Sequence, residues 1–215
     1  MDLPLLLAAT LGAYLAGSIP FGLLVARLTG GPDPRSIGSG RTGGTNALRA
    51  LGRRRAAVVS AGDILKGTLP VLAVHSLAAQ GAEIWTSSWT ALAALFAVIG
   101  ATRSIWVGFK GGRGIATGFG TALAIAPIAL AAVAPIFLIV IWRTRIVSLG
   151  SLAAAALFAP ALFIISYATT GMLDGALIAY GIVGPALVWF AHADNIARLR
   201  AGTERTFDTG MLQRD

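Results

Sequence analysis

The stretch IVSLGSLAAAALFAPALFIISYA, residues 146–168, contains no charged side chain and decides the fold class. A helix of about 20 apolar residues is long enough to cross the hydrocarbon core of a bilayer. Comparable stretches recur along the chain. We predict seven helical spans, at residues 3–26, 56–79, 84–101, 115–125, 127–142, 146–168 and 176–191. The sequence therefore predicts an all-α, polytopic integral membrane protein.

The composition of the whole chain favours the same fold class. Of its 215 residues, 56% are hydrophobic and 12% are charged, whereas about 25% of a soluble domain is charged. The chain has no cysteine and two histidines. Disulfides and thiolate metal sites are therefore excluded, and we expect neither a metal ion nor a cofactor. The net charge is +8, and the basic residues that produce it lie between the apolar stretches. We therefore predict a lipid bilayer as partner and no nucleic acid. The sequence leaves the oligomeric state open.

The basic residues lie on one side of the predicted spans. Sixteen of the seventeen Lys and Arg residues follow the first, third, fifth and seventh spans, and the positive-inside rule makes that side cytoplasmic. We therefore predict an inner (plasma) membrane protein with its N-terminus outside and its C-terminus in the cytoplasm. The predicted cytoplasmic loops are about 27–55, 102–114, 143–145 and 192–215.

Some of the spans depart from a plain apolar helix. The first begins after the acidic Asp2 and is too long for a signal peptide core, so we predict that it is retained. Pro20 and Pro70 predict kinks. Residues 115–142 form either two short spans or a re-entrant hairpin, and both arrangements keep the basic loops on one side.

One basic residue, Lys66, lies inside a predicted span, three residues after Asp63. Residues at this spacing meet on one helix face, and charges within a membrane often mark a functional site. An ion pair that only packs two helices is the alternative, and the sequence leaves both open.

Two cytoplasmic loops are rich in glycine and cations. The first, residues 37–49, reads IGSGRTGGTNALR, and the second, residues 109–114, reads FKGGRG. Glycine lets backbone N–H groups form a concavity that binds anions, and arginine supplies a planar fork that fits phosphate. We predict that the two loops hold phosphate groups. Flexible turns with positive-inside charges are the alternative, and the pattern of a nucleotide P-loop is absent.

The end of the last predicted span carries two further polar residues. His192 and Asn195 share a helix face by their i, i+3 spacing, at the level of the two glycine-rich loops. A histidine at this position could accept or donate a proton near neutral pH. An ordinary juxtamembrane cap, with the arginines of this segment facing lipid headgroups, is the alternative, and this segment taken alone favours it.

Taken together, these segments resemble the bacterial membrane acyl-phosphate:glycerol-3-phosphate acyltransferase (PlsY) family. The resemblance covers almost the whole chain and rests on motifs at residues 17–22 (GSIPFG), 38–49, 63–67 (DILKG), 109–117 (FKGGRGIAT) and 192–204 (HADNIARLRAGTE). The chain departs from the family pattern at Ala101, where many members carry histidine. Arg41, Thr42, Gly44 and Arg113 are smaller departures.

The resemblance implies a fold and an activity. The family transfers a fatty acyl group from acyl phosphate to glycerol 3-phosphate, which gives lysophosphatidic acid and phosphate. Its members are seven-span membrane enzymes with a cytoplasmic active site. We accordingly expect residues 1–215 to form a single membrane-embedded acyltransferase domain with acyl phosphate and glycerol 3-phosphate as substrates.

The predicted site combines the two loops, the charged pair and the C-terminal segment. Arg49 and Lys110 would neutralise two phosphate groups, and His192 or a substrate phosphate oxygen would take the proton. The predicted catalytic residues are Ser39, Arg49, Lys110, His192 and Asn195. The predicted substrate-binding residues are Gly38, Gly40, Gly43, Thr45, Asn46, Gly111, Gly112, Arg113, Asp63 and Lys66.

Two readings from other classes remain at this stage. A small transporter of a phosphorylated metabolite would also use glycine-rich loops and helices interrupted by proline. A structural lipid-binding subunit would need neither transport nor catalysis. The clustering of cations on one face favours the enzyme over the transporter.

Overall fold

The structure, a computed structural model, describes residues 3–80 and 86–206. This part of the chain is helical and contains no strand. Its ten α-helices are α1 (Leu3–Ser18), α2 (Phe21–Leu28), α3 (Gly44–Leu51), α4 (Arg53–Ala79), α5 (Thr86–Thr102), α6 (Ile115–Ile125), α7 (Pro127–Thr144), α8 (Val147–Thr170), α9 (Gly175–Ala191) and α10 (Ala193–Arg200).

Several of these helices are long and apolar enough to cross a membrane. Four stretches qualify alone: α4, Thr86–Val107, α7 and α8. Two more qualify if the bent pairs α1–α2 and α9–α10 each count as one span. The described chain thus has four to six candidate spans, together with the shorter α6. The predicted start of the third span, residues 84–85, lies outside the described residues.

The first predicted span is bent where Pro20 predicts it. Helix α1 ends at Ser18, and α2 leaves at an angle of 54°. Proline lacks the N–H of a helix interior and disfavours helical geometry in the residue before it. The carbonyl of Ile19 at this break accepts a hydrogen bond of 2.8 Å from Lys66 Nζ. Pro70, in contrast, lies within the unbroken helix α4.

Residues 115–142 form two helices separated at Ala126. Helix α6 has 11 residues and is about 16 Å long, about half of what a bilayer core requires. It packs closely on α4, because a Cβ on Gly67 would collide with the Thr117 carbonyl and one on Gly120 with the Ile64 carbonyl. Small residues allow such close approach of helices in a membrane.

The core is built largely from small side chains. One buried cluster joins α1, α4, α5, α6, α7, α8 and α9, with Ala93 and Ala94 among its fully buried members. The buried charged residues, Asp63 and Lys66, and the buried His192, Asn46 and Asn195 lie at the end of the bundle where α3, α10 and the two glycine-rich loops meet. The fold therefore separates an apolar bundle from a polar cap.

Candidate active site

A polar cavity of about 270 Å³ lies at this end of the bundle. It brings together parts of the chain that are far apart in sequence: the first loop, α4, the second loop, α8 and the C-terminal segment. The predicted site residues that line it are Ser39, Gly43, Thr45, Asn46, Arg49, Asp63, Lys66, Gly112, Arg113, His192 and Asn195. Gly38, Gly40, Lys110 and Gly111 do not line it.

Asn46 organises the first loop. Its Nδ2 donates to Ser39 Oγ (3.1 Å) and to the Arg41 carbonyl (2.9 Å). Its Oδ1 accepts from Arg49 Nη1 (3.2 Å) and from the Ser39 backbone N–H (3.4 Å). A Cβ on Gly38 would lie 2.6 Å from Asn46 Oδ1, so glycine at this position leaves room for the network. Ser39 and Arg49 are thereby held on one wall of the cavity.

Arg49 is half-buried, and the negative charge of Glu204 lies near enough to favour its charged form. Burial lowers the pKa of its guanidinium below the usual value, and the nearby positive charge of Arg205 lowers it further. Arg205 follows Glu204 and also lines the cavity. Two like charges facing one cavity would both be stabilised by an anion between them.

The second loop is tied to both of its neighbours. Arg41 Nη1 donates to the Gly111 carbonyl (3.3 Å), which joins the two loops. Arg113 Nη2 donates to Asp194 Oδ2 (2.8 Å), which joins the second loop to α10. Arg113 Nε is buried and has no hydrogen-bond partner among the described residues. Lys110 is exposed on the outer side of this loop.

His192 lies beyond the last residue of α9, at the bend of 62° into α10. It is buried, and its Nδ1 lies 2.8 Å from the Val188 carbonyl. A carbonyl only accepts, so Nδ1 carries the proton and Nε2 is left as the acceptor of the neutral ring. Burial lowers the pKa of His192 to about 4. At neutral pH this histidine accepts a hydrogen bond and is a weak base.

Glu204 holds the C-terminal segment in the cavity wall. Its Oε1 accepts from Asn195 Nδ2 (2.6 Å) and Ser148 Oγ (3.0 Å), and its Oε2 accepts from Arg198 Nε (2.7 Å). Its side chain is only 6% exposed. Burial alone would raise the pKa of Glu204, but the hydrogen bonds from Asn195, Arg198 and Ser148 outweigh it, and the pKa is lowered.

Sequence reasoning assigned no role to Glu204, Ser148 or Arg205. Glu204 belongs to the motif at residues 192–204, which was the available signal. Glu204 reaches Ser148 on α8 because the chain turns at Gly202, where φ is +67°. Ser148 is a single serine within the apolar stretch 146–168, and nothing in its neighbouring residues indicates a role in the site.

The predicted pair Asp63–Lys66 forms and is buried. Lys66 Nζ lies 2.6 Å from Asp63 Oδ1 and also donates to the Ile19 carbonyl. Both side chains line the cavity. The pair thus connects the break between α1 and α2 to the polar cavity. It packs two helices together and also lies at the proposed site, so it has features of a structural ion pair and of a functional one.

The cavity has unpaired polar groups of opposite kinds. Within residues 3–80 and 86–206, Arg113 Nε is a buried donor without a partner, and Asn195 Oδ1 is a buried acceptor without one. The lining carries five cationic side chains and two carboxylates: Arg41, Lys66, Arg49, Arg113, Arg205, Asp63 and Glu204. Buried polar groups generally find partners. A ligand that is both anionic and hydroxylated would satisfy these groups.

A second, apolar pocket of about 360 Å³ adjoins the polar cavity. The two share three lining residues, Ile115, Phe137 and Ser151. The apolar pocket lies among α5, α6, α7, α8 and α9 and is bounded almost entirely by aliphatic and aromatic groups. The combined volume suits a ligand with a charged head and a hydrocarbon tail.

Comparison with known proteins identifies the family. The family described as glycerol-3-phosphate acyltransferase matches residues 7–202. A glycerol-3-phosphate acyltransferase of Methylorubrum extorquens (strain PA1) is 42% identical over 201 residues, which are 94% of this chain and 92% of the relative. One of Geotalea daltonii is 42% identical over 197 residues, covering 92% and 95% of the two chains.

Two crystal structures of PlsY (YgiH), an integral membrane glycerol 3-phosphate acyltransferase, share the fold. The glycerol 3-phosphate form has a TM-score of 0.85 at 33% identity and covers 97% of this chain and 98% of its own. The lysophosphatidic acid form has a TM-score of 0.81 at 31% identity, with the same coverage. The chain therefore belongs to the glycerol-3-phosphate acyltransferase family of integral membrane proteins.

Proposed function

We propose that this protein transfers a fatty acyl group from acyl phosphate to glycerol 3-phosphate and releases lysophosphatidic acid and phosphate. The acyltransferase activity follows from its family. One observation carries the assignment to this site: a cationic cavity and an apolar pocket lie side by side and share the wall formed by Ile115, Phe137 and Ser151. The phosphates would occupy the first and the acyl tail the second.

The two unpaired groups support a position for the acceptor substrate. Glycerol 3-phosphate carries an anionic phosphate and free hydroxyls, so Arg113 Nε would donate to its phosphate and Asn195 Oδ1 would accept from a hydroxyl. Glu204 fixes the orientation of the Asn195 amide. A carboxylate can accept a hydrogen bond from the amide nitrogen Nδ2 but cannot pair with the amide oxygen Oδ1. The amide oxygen is then the atom that remains for the substrate.

The donor phosphate would lie nearer the first loop. Ser39 and Arg49 are fixed by Asn46 on that wall, and Gly43 and Thr45 lie beside them at the start of α3. Backbone N–H groups at a helix start favour anions. We assign Lys110, Gly38, Gly40 and Gly111 to the rim, where they would shape the loops and attract the two anionic substrates.

The reaction replaces one acyl–oxygen bond with another. A hydroxyl oxygen of glycerol 3-phosphate attacks the acyl carbonyl carbon, the bond from that carbon to the phosphate oxygen breaks, and inorganic phosphate leaves. The hydroxyl proton passes to a phosphate oxygen. Because His192 Nδ1 donates to the Val188 carbonyl, Nε2 of the neutral ring would accept a hydrogen bond from the hydroxyl and orient it. Orientation and charge stabilisation would supply most of the rate.

The donor is tested by direct comparison. We expect the purified protein in lipid vesicles to form lysophosphatidic acid and phosphate from acyl phosphate and glycerol 3-phosphate. Acyl-CoA of the same chain should give no product, because the proposed donor head is a single phosphate and the glycine-rich loops lack the pattern of a nucleotide P-loop. Product from acyl-CoA alone would contradict the proposed donor, and glycerol 3-phosphate uptake without acyl donor would indicate a transporter.

We further propose a topology of seven passes in the inner (plasma) membrane, with residues 1–215 as one domain. The bent pairs α1–α2 and α9–α10 would each cross once, and α6 would be a short pass beside α4. The one-sided distribution of basic residues supports an outside N-terminus, a cytoplasmic C-terminus and a cytoplasmic active site.

The absence of cysteine makes this topology directly testable. Single cysteines can be introduced at Arg54, Arg103 and Arg145, which lie in the proposed cytoplasmic loops, and at Leu173, which lies in a proposed outer loop. In intact cells, an impermeant thiol reagent should label only the last of these. Labelling of Arg54→Cys and Arg103→Cys on opposite faces would separate the two loops and refute the shared site.

A further inference from the structure

The two glycine-rich loops meet along one edge of the polar cavity. Besides the hydrogen bond from Arg41 to the Gly111 carbonyl, the loops approach each other closely, since a Cβ on Gly112 would lie 3.8 Å from Thr42 Oγ1 and 3.9 Å from the Gly43 nitrogen. We call this meeting line the seam, and it comprises residues 41–43 and 111–113. All of these residues except Gly111 line the cavity.

The glycine N–H groups on the second loop's side of the seam are already bonded. Gly111 N–H donates to the Thr102 carbonyl (3.2 Å), and Gly112 N–H donates to the Ala101 carbonyl (2.8 Å). Both bonds satisfy carbonyls at the C-terminal end of α5, which have no partner within the helix. These two glycines therefore offer no free N–H to a ligand, and binding at the seam depends chiefly on side chains.

Thr42 places a hydroxyl at the seam. The residue is only 6% exposed and lines the cavity, yet within residues 3–80 and 86–206 its side chain makes no hydrogen bond. Its backbone is fixed against α2, because a Cβ on Gly22 would collide with the Thr42 carbonyl. Buried hydroxyls generally find a partner, so a ligand in the cavity is the partner that remains for this one.

Two guanidinium groups accompany this hydroxyl. Arg41 and Arg113 both line the cavity. The pKa of Arg113 is lowered, chiefly by burial and in part by the positive charge of Arg41, so the two charges lie near each other. Asp194 pairs with Arg113 Nη2, whereas Arg41 forms no ion pair with a carboxylate in the described part of the chain. The seam thus presents donors and positive charge, which suit an anion with several acceptor oxygens.

We infer that Arg41 and Thr42 complete, together with Arg113, the site that binds the phosphate group of glycerol 3-phosphate. This inference rests on the proposed function, which assigns Arg113 Nε to the same phosphate. Thr42 Oγ1 would donate to one phosphate oxygen and the Arg41 guanidinium to another. The donor phosphate would remain at Ser39 and Arg49.

Removing the Thr42 hydroxyl should weaken the binding of glycerol 3-phosphate. Thr42→Val keeps the size and branching of the side chain but loses a hydrogen bond to a charged group, so the Kd should rise about tenfold or more. Thr42→Ser keeps the hydroxyl and should bind like the wild-type protein. The matched control is Thr169→Val, an exposed threonine at the far end of α8. Binding is measured by isothermal titration of the purified protein in detergent, without an acyl donor.

Initial-rate kinetics give a second measurement. The KM for glycerol 3-phosphate should rise in Thr42→Val by a factor similar to that of the Kd, while the KM for acyl phosphate should stay unchanged. If Thr42→Val does not fold, Arg41→Gln tests the same site, because its Kd should also rise about tenfold or more. Arg54→Gln, which alters an exposed residue outside the cavity, should leave the Kd unchanged.

Two results would overturn the inference. One is wild-type affinity in Thr42→Val. The other is a loss of affinity for glycerol 3-phosphate that is absent for 3-hydroxypropyl phosphate, which lacks the middle hydroxyl, since Thr42 would then contact that hydroxyl and not the phosphate. A wild-type protein that binds glycerol 3-phosphate but forms no product would instead overturn the proposed function alone.

Discussion

Replacing Arg49 by glutamine should lower kcat/KM for acyl transfer by about 100- to 1,000-fold, the effect of removing one charged stabilising group from a reaction site. The guanidinium lines the cavity, is half-buried and faces the positive charge of Arg205. Its charge therefore gains its main partner when a phosphate binds. Loss of this charge weakens the compensation of the repulsion between two substrate phosphates.

Two companion variants separate charge from geometry. Arg49→Lys keeps the charge and loses the planar fork, so an intermediate loss is expected. Arg54→Gln removes an exposed charge from a residue that does not line the cavity and should retain wild-type turnover. The measurement is initial-rate kinetics at matched protein amounts in lipid vesicles. Equal activity of Arg49→Gln and Arg54→Gln would refute the role of Arg49.

Replacing Asn195 by aspartate should cost activity and stability together. The substitution keeps the shape of the side chain but removes the Nδ2 donor. It places a carboxylate against Glu204, whose Oε1 lies 2.6 Å from Asn195 Nδ2. A buried charge without a partner typically costs about 3–5 kcal/mol. We expect a lower unfolding temperature and at least about a 100-fold loss of kcat/KM, as for other lost groups that orient or stabilise reacting atoms.

A reciprocal exchange tests the mechanism of this loss. In the double variant Asn195→Asp with Glu204→Gln, the amide and the carboxylate trade places, so part of the unfolding temperature should return. Activity should stay low, because the negative charge moves from position 204 to position 195, the position that would contact glycerol 3-phosphate. The coupling between the two changes is measured by a double-mutant cycle. Strictly additive effects on the unfolding temperature would show that the two side chains do not support each other.

The local features of the fold were predictable because they depend on short stretches of sequence. Uncharged runs such as residues 146–168 give the helices, and Pro20 gives the break after Ser18. The spacing of Asp63 and Lys66 predicts an ion pair that the structure confirms. The number of spans was less predictable, because α6 is too short for a decision by length alone.

The site was predictable only in part, because its walls are assembled from distant segments. Most of the predicted residues meet in one cavity, whereas Lys110 lies exposed outside it. The contribution of Glu204 depends on how the chain returns after Gly202, and that path depends on tertiary contacts with Ser148 and Arg198. The periodicity of the local sequence cannot predict the path of the chain after Gly202.

The contact of Lys66 with both Asp63 and the Ile19 carbonyl constrains how this sequence can evolve. A neutral side chain at position 66 would leave the buried Asp63 carboxylate and the Ile19 carbonyl without their donor at once. Loss of Asp63 alone would isolate an ammonium group. Replacement of either residue alone would leave a buried charge without its partner. We therefore expect positions 63 and 66 to change together in evolution rather than one at a time.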